Sequence, residues 1–287
     1  MPMQLTERDR LIIRQVHRHR FLRSSHIVAL VGGSRQQILR RLKLLYHHGY
    51  LERPRAQLQY YERGGSRDIA YGLGNKSGRL LLQELGIAVH PVAWSERNHV
   101  IGRLFLEHAL LVSDVMVAIE LACQKHGAIR LFHEDELKLR SKRQPFQWRV
   151  KIQNVGRLGV VPDRVFALEY LDHNSQNQRV HYFLEADRGT MPVVRSNLSQ
   201  TSFRRKLLAY EATWNQDIHR SRLGINRFRV LTVTTIPKRV QSLVEACSQL
   251  KSGQGLFLFA DKSILSGDIL SGTWRTGRPG EVTNLLS

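Results

Sequence analysis

Cysteine is almost absent from this 287-residue chain: there are two, Cys123 and Cys247, each in a helix-period stretch and neither in a Cys-x-x-Cys pair. A disulfide-stapled scaffold and a zinc ribbon are thereby excluded. Long apolar runs are missing as well. The longest, Ala109–Cys123, is interrupted by Asp114 and Glu120 and is too short and too polar to cross a bilayer. The opening residues, MPMQLTERDRLIIRQVHRHR, hold no apolar signal core, so a cytoplasmic protein without a membrane partner is expected. There is no Gly-x-x-x-x-Gly-Lys-Ser/Thr loop for a nucleotide phosphate and no Gly-x-Ser-x-Gly elbow for a serine hydrolase. Acidic residues are scarce, 24 against 44 Lys and Arg, which leaves a net charge of +20. Such a surplus repels itself in the folded state and is tolerated when the partner is a polyanion. The polyanion is nucleic acid or an anionic membrane surface, with nucleic acid, as double-stranded DNA, the leading expectation. With 42% hydrophobic residues the chain has enough apolar material for a sizeable core.

What is present is unevenly distributed. Met1 to Asn75 carries 14 Lys and Arg against 5 Asp and Glu. Its pattern predicts a helix from Thr6 to His19, a break at Phe21–Arg23 and a second helix from Ser24. A Gly32-Gly33 turn and a third helix from Arg35 to His48 come next. Strand-like runs near 49–53 and 69–73 flank a polar stretch, the order of a winged helix-turn-helix. On the third helix Ile38, Leu42 and Leu45 recur at helical spacing and face inward. Gln36, Arg40, Lys43 and His47 fall opposite, with Arg35, Gln37 and Arg41 beside them. Arg and Gln on such a face can bond guanine and adenine edges in a major groove. Arg55, Arg63 and Arg67 in the polar stretch would touch phosphates or the minor groove.

Beyond a linker helix (77–85) and Pro91, the sequence predicts a long helix over 99–126 and strands at 129–139, 159–169 and 180–187. A helix over 198–220, a strand at 227–235, a helix over 237–250 and a strand at 256–260 complete the order. Acidic residues stand out at the strand ends: Pro162-Asp163, then Glu185-Ala186-Asp187. Glu185 and Asp187 share a face because side chains alternate along a strand. Convergence of Asp163, Glu185 and Asp187, with Glu107 as a fourth member, would suit a hard divalent cation such as Mg²⁺. The alternative is that Arg164 and Arg188, each beside an acidic motif, pair with these carboxylates.

Pro162-Asp163 followed by Glu185-x-Asp187 resembles the PD-(D/E)XK nuclease superfamily, whose shared core runs α-β-β-β-α-β. The resemblance implies Asp163, Glu185, Asp187 and Lys206 as catalytic residues if the domain cleaves. The motif departs from the pattern at Asp187, where the superfamily has lysine. Lys206 on the next helix is placed to supply an ammonium instead. The blocks HALLVSDV, VVPDRVFAL, YFLEADRGTMPV and RRKLLAY together resemble the replication-relaxation family of plasmid and integrative-element proteins. Matching positions are His108, Pro162, Asp163, Glu185, Asp187, Arg188, Gly189, Thr190, Lys206, Leu207 and Tyr210. The resemblance implies a role in plasmid replication, relaxation or mobilisation.

The expected fold class is therefore α+β. A winged helix domain with its linker helix spans 1–92, a restriction-endonuclease-like αβ domain around a mixed sheet spans 93–265, and a flexible tail spans 266–287. The expected function is sequence-specific DNA binding in a mobile genetic element, with an inactive nuclease-like domain and no cofactor. A Mg²⁺-dependent endonuclease and a transcriptional repressor are the alternatives. A homodimer and other mobilisation or replication proteins are the expected protein partners.

Overall fold

In the computed structural model, which describes residues 3–58, 68–83, 94–137, 139, 146–153, 155–171, 178–197 and 200–286, local capping chemistry sets the first elements. Thr6 has extended backbone and begins α1 (Glu7–His19) with a capping box. Its N–H and hydroxyl both donate to the Asp9 carboxylate at 2.7 Å, and its Oγ1 accepts from the Asp9 N–H at 3.3 Å. Acidic residues in the first turn and His17, Arg18 and His19 in the last suit the helix dipole. The segment read as a break contains a strand, β1 (Leu22–Arg23), which leads into α2 (Ser24–Val31). Gly32 and Gly33 turn the chain at φ 69° and 92°, a conformation that costs other residues dearly. Ser34 then caps α3 (Arg35–His47). Strands β2 (Leu51–Glu52) and β3 (Ala70–Leu73) follow, and β3 pairs antiparallel with both β1 and β2. Ile12, Val16, Ile27, Ile38, Leu42 and Leu45 are fully buried and form the core of this part.

Helices α4 (Asn75–Gln83), α5 (Trp94–His99) and α6 (Arg103–His126) come next. The expected helix over 99–126 thus starts later. Val100, Ile101 and Gly102 separate a short α5 from α6, and β-branched residues beside glycine are weak helix formers. The chain divides into two compact units, Met1–Val117 and Ala118–Ser287.

The second unit is a mixed αβ structure. After β4 (Ile129–His133), β5 (Trp148–Ile152) and β6 (Gly156–Val160) form a separate antiparallel ribbon. Strands β7 (Arg164–Tyr170) and β8 (Gln178–Asp187) precede α7 (Phe203–Asn215) and α8 (Ile218–Ser221). Next come β9 (Phe228–Thr234), α9 (Pro237–Ser248), β10 (Phe257–Asp261), β11 (Trp274–Thr276) and β12 (Val282–Thr283). The main sheet has the order β12-β11-β10-β9-β8-β7-β4. Its β8–β9 and β9–β10 pairs are parallel and the others antiparallel. Phe183, Val230, Phe257 and Phe259 of the sheet pack in one buried cluster with Leu207 and Tyr210 of α7 and Leu243 and Val244 of α9. The residues on this face of β8 therefore lie under α7 and α9.

Three expectations change. The strand expected over 159–169 is two strands, because Pro162 has no N–H for a ladder and the chain leaves the ribbon there to enter the main sheet. The long helix over 198–220 breaks at Asp217, which has φ 51°. The flexible tail over 266–287 is instead built into the sheet as β11 and β12, with Ile269, Leu270, Trp274 and Leu285 fully buried. Gly277 packs against Cys247 there, where an added Cβ would lie 2.4 Å from the sulfur. Among the described residues no helix is long and apolar enough to cross a membrane.

One histidine of β8 makes the fold pH-sensitive. Burial, with the charge of Arg179, pushes the His181 imidazole down to about 4. The unfolded chain then binds a proton that the folded chain refuses, so stability falls as the pH drops from 6.5 towards 4. The loss from this group reaches at most about 3 kcal/mol. Melting temperatures across this range should fall less steeply for His181→Gln than for the wild type. Parallel slopes would remove His181 from the account.

Candidate functional site

Two sites were expected, one in each unit. In the first, α3 presents Arg35, Gln36, Gln37, Arg40, Lys43 and His47 to solvent. Gln36, Arg40, Lys43 and His47 follow helical spacing along one stripe, opposite buried Ile38, Leu42 and Leu45. Among the described residues Arg35, Arg40 and Lys43 take part in no ion pair. A groove lined by Thr6, Glu7, Arg8, Gln37, Arg40, Arg41 and Leu44 runs beside this stripe, and brings in exposed Arg8, which the sequence reading passed over. Arg55 is exposed on a short 3₁₀ turn, while Arg63 and Arg67 lie outside the described residues.

Arg41 behaves differently from its neighbours. Its Nε donates to Asp9 Oδ1 at 2.9 Å and its Nη2 to Asp9 Oδ2 at 2.5 Å. Nη2 also donates to the Gln4 carbonyl at 3.2 Å. Asp9 is fully buried. Burial alone would push its carboxyl up, but Arg41 and the Thr6 N–H and hydroxyl outweigh that and hold it below the ordinary value. Arg41 thus ties α3 to the start of α1, and its assignment to the DNA-facing set is corrected. The signal was available: Arg41 lies three residues after buried Ile38, at the edge of the inward stripe.

In the second unit, Asp163 stands just before β7, and Glu185 and Asp187 close β8. Asp163 N–H donates to the Leu184 carbonyl at 2.9 Å, and its Oδ2 accepts from the Ala186 N–H at 2.7 Å. Glu185 is 2% exposed, and both its oxygens are engaged. Tyr210 of α7 donates its hydroxyl to Oε1 at 2.5 Å, and Lys206 of the same helix meets Oε2 in a close ion pair. Burial pushes the Glu185 carboxyl up, against the pull of Lys206. Burial works against the Lys206 ammonium too, yet the charges of Glu185, Asp163 and Asp187 raise it above its usual value. Tyr210 is held well above the ordinary phenol range by burial and by the charge of Glu185.

Asp187 has its own cation. Arg239, in the first turn of α9, grips it through Nε and, at 3.1 Å, through Nη2, and also donates to the Met191 carbonyl. The Gly189 N–H donates to Asp187 Oδ1 at 3.3 Å. Gly189 has φ 74°, and a Cβ there would lie 2.3 Å from Ile236 just before α9. Glycine in the Asp-Arg-Gly block is therefore demanded by the turn and by the close approach of the next helix.

The site is thus a string of carboxylates matched by the chain's own cations. The cation on Asp187 is Arg239, and the one on Glu185 is Lys206. Arg164, whose guanidinium is pulled down by burial, feels the charges of Glu134, Asp135 and Asp163. Glu107 belongs to the first unit, where it accepts from Arg103 Nε at 2.7 Å one turn away. Among the described residues no three His, Cys, Asp or Glu side chains are placed to hold a metal ion. As arranged, the carboxylates do not fit Mg²⁺, since both oxygens of Glu185 and both of Asp187 already bind protein donors. The sequence reading missed Arg239. Its signal was the Pro237 helix start directly after β9, which a parallel β8–β9 pair sets beside the end of β8.

Two stability measurements follow. Arg41→Ala should cost about 2–4 kcal/mol in urea unfolding by leaving Asp9 buried and unpaired, whereas exposed Arg40→Ala should change stability by less than about 0.5 kcal/mol. Equal effects would return Arg41 to the solvent-facing set. Lys206→Met should cost about 2–4 kcal/mol at neutral pH, because Glu185 loses its counter-charge. That loss should shrink as the pH falls and Glu185 takes up a proton, and Glu185→Gln/Lys206→Met should recover much of it. A double variant no more stable than Lys206→Met would contradict the pairing.

No curated protein sequence and no solved structure matches this chain. The family model described as replication-relaxation matches residues 13–227, which takes in α3, the Pro162-Asp163 and Glu185-x-Asp187 blocks, Lys206 and Tyr210. With three quarters of its length so matched, the chain belongs to the replication-relaxation family.

Proposed function

We propose that the protein is a sequence-specific double-stranded DNA-binding protein acting in replication, relaxation or mobilisation of a mobile genetic element. The observation that carries this reading is the exposed stripe Gln36-Arg40-Lys43-His47 on a helix set between a glycine turn and a strand hairpin. Read as a winged helix-turn-helix, α2 and α3 form the motif and β1, β2 and β3 the wing sheet. In that geometry the N-terminal half of α3 enters the major groove, where Arg40 and Gln36 can bond base edges. Arg55, Arg63 and Arg67 then contact phosphates or the minor groove. A two-fold dimer on inverted half-sites is the matching assembly.

For the second unit, the reading is a restriction-endonuclease-like core that has lost metal chemistry. In the main sheet the adjacent strands β4-β7-β8-β9 come in chain order, with the β5–β6 ribbon inserted between β4 and β7 and α7 and α8 between β8 and β9, and this order supports the likeness to the PD-(D/E)XK superfamily. Lys206 and Arg239 occupying the carboxylates support the inactive, scaffolding role.

Arg40→Ala should weaken binding to the element's own site by about 1–3 kcal/mol and relax preference at one base, as loss of a bidentate contact does. Gel shifts with unchanged affinity and unchanged preference would remove α3 from recognition. Supercoiled plasmid incubated with the protein and Mg²⁺ or Mn²⁺ should stay intact. Nicking that disappears in Asp163→Ala, with melting temperature and DNA binding preserved, would establish the endonuclease instead.

A further inference from the structure

Between Glu136 and Asp163 the chain carries seven Lys and Arg and no Asp or Glu. The β5–β6 ribbon makes up most of the described part of this stretch. One face of it is apolar and buried: Trp148, Val150, Leu158 and Val160 join the core cluster that includes Phe203, Leu207 and Tyr210 of α7. Trp148 Nε1 donates to Thr213 Oγ1 at 2.8 Å, and Gln216 Nε2 to the Lys151 carbonyl at 2.6 Å, so the ribbon is tied to α7 and its end. The other face is cationic. Arg149, Lys151 and Arg157 are all exposed, and none of them meets a carboxylate among the described residues.

The register sharpens this. Lys151 lies directly across from Arg157, and Arg149 directly across from Gly159. Like charges at directly opposed positions destabilise an antiparallel pair. Nothing within 4 Å would touch a side chain at Gly159. A glycine in a strand interior weakens it, and often marks a bulge, a tight bend or a close approach by a ligand or another backbone. Anionic groups laid against the strands would relieve the Lys151–Arg157 repulsion, and the bare backbone at Gly159 leaves them room to approach.

We propose that the outer face of β5–β6 is a second duplex-DNA contact, in which Arg149, Lys151 and Arg157 hold backbone phosphates and Gly159 lets the sugar-phosphate chain approach. It rests on the reading above only for the ligand and shares no residue with α3. A major groove or the backbone beside it admits a two-stranded ribbon. Three cations without a paired carboxylate suit backbone phosphates, contacts that position a protein on the duplex. An anionic membrane is the other polyanion, but among the described residues the outward side of the ribbon offers, beside Arg149, Lys151 and Arg157, only Val161, 47% exposed just past β6, far less apolar surface than the segments that lie in a bilayer interface bury.

The test uses the full chain and a duplex of arbitrary sequence, comparing wild type with Arg149→Gln/Lys151→Gln/Arg157→Gln. Losing three phosphate contacts should lower the slope of log affinity against log salt by about 2–3. Going from low salt to a fourfold higher concentration should then weaken the wild type about 40-fold more than the variant. Its melting temperature should be no lower than that of the wild type, since a repulsion is removed. The swap Arg149→Lys/Lys151→Arg/Arg157→Lys should keep the wild-type slope. Should the triple variant not fold, Arg157→Gln alone should lower the slope by about 1. An unchanged slope would overturn the proposal, and so would loss of binding to phosphatidylserine vesicles with DNA binding intact. Arg40→Ala measured on the same duplex separates the two readings. If it has no effect here or on the element's site while the ribbon variant is weakened, the ribbon contact stands and the α3 reading falls.

Discussion

Two carboxylates, Glu185 and Asp187, are buried on one face of a central strand, and the second unit is organised around neutralising them. Taking a carboxylate out of water costs several kcal/mol unless a counter-charge and hydrogen bonds meet it. Here the counter-charges come from the two helices that cover that face: Lys206 and Tyr210 from α7, Arg239 from α9. Each pair fixes where its helix sits along β8. Glycine at 189 lets the chain turn tightly enough for the start of α9 to reach Asp187. The parallel pairing of β8 with β9 sets the end of one strand beside the start of the helix that follows the other.

Glu185 and Asp187, which the proposed likeness to the PD-(D/E)XK superfamily would assign to a metal site, are therefore members of an internal ion-pair network. The difference lies in one position and its consequence. On that proposed reading Asp187 stands where the superfamily has lysine; it adds a negative charge and calls for a second cation. Arg239 answers it with a bidentate grip that a lysine could not reproduce. Once both helices are pinned this way, the carboxylate oxygens are used, and among the described residues exposed cationic groups left without an ion pair lie in the α3 stripe and on the β5–β6 ribbon, the two surfaces proposed above to meet DNA.

How much of this could be read from the sequence depends on how local the signal is. Caps at Thr6 and Ser34, the Gly32-Gly33 turn and the Ile38-Leu42-Leu45 stripe are short-range features, and α1 and α3 fall within a residue of their expected ends. The nearness of Asp163 to the end of β8 and of Lys206 to Glu185 was legible from the acidic motifs and the family resemblance. Arg239 was not, because its role exists only once β9 lies parallel to β8. The ribbon was hidden because Val160, Val161 and Val165 read as one apolar run, and only the missing N–H of Pro162 divides it. The C-terminal segment looked like a tail because it is rich in glycine and polar residues. Trp274, buried between short strands, anchors it through a contact that no local pattern announces.

The central claim is that Lys206 and Arg239, not a divalent cation, satisfy Glu185 and Asp187. A ligand that binds only the folded state raises the melting temperature by mass action. Thermal melts of the wild type and Glu185→Gln, with and without excess Mn²⁺, test this directly. The account predicts no Mn²⁺-dependent rise in the wild type that Glu185→Gln removes. A rise in the wild type that is lost in Glu185→Gln would contradict it.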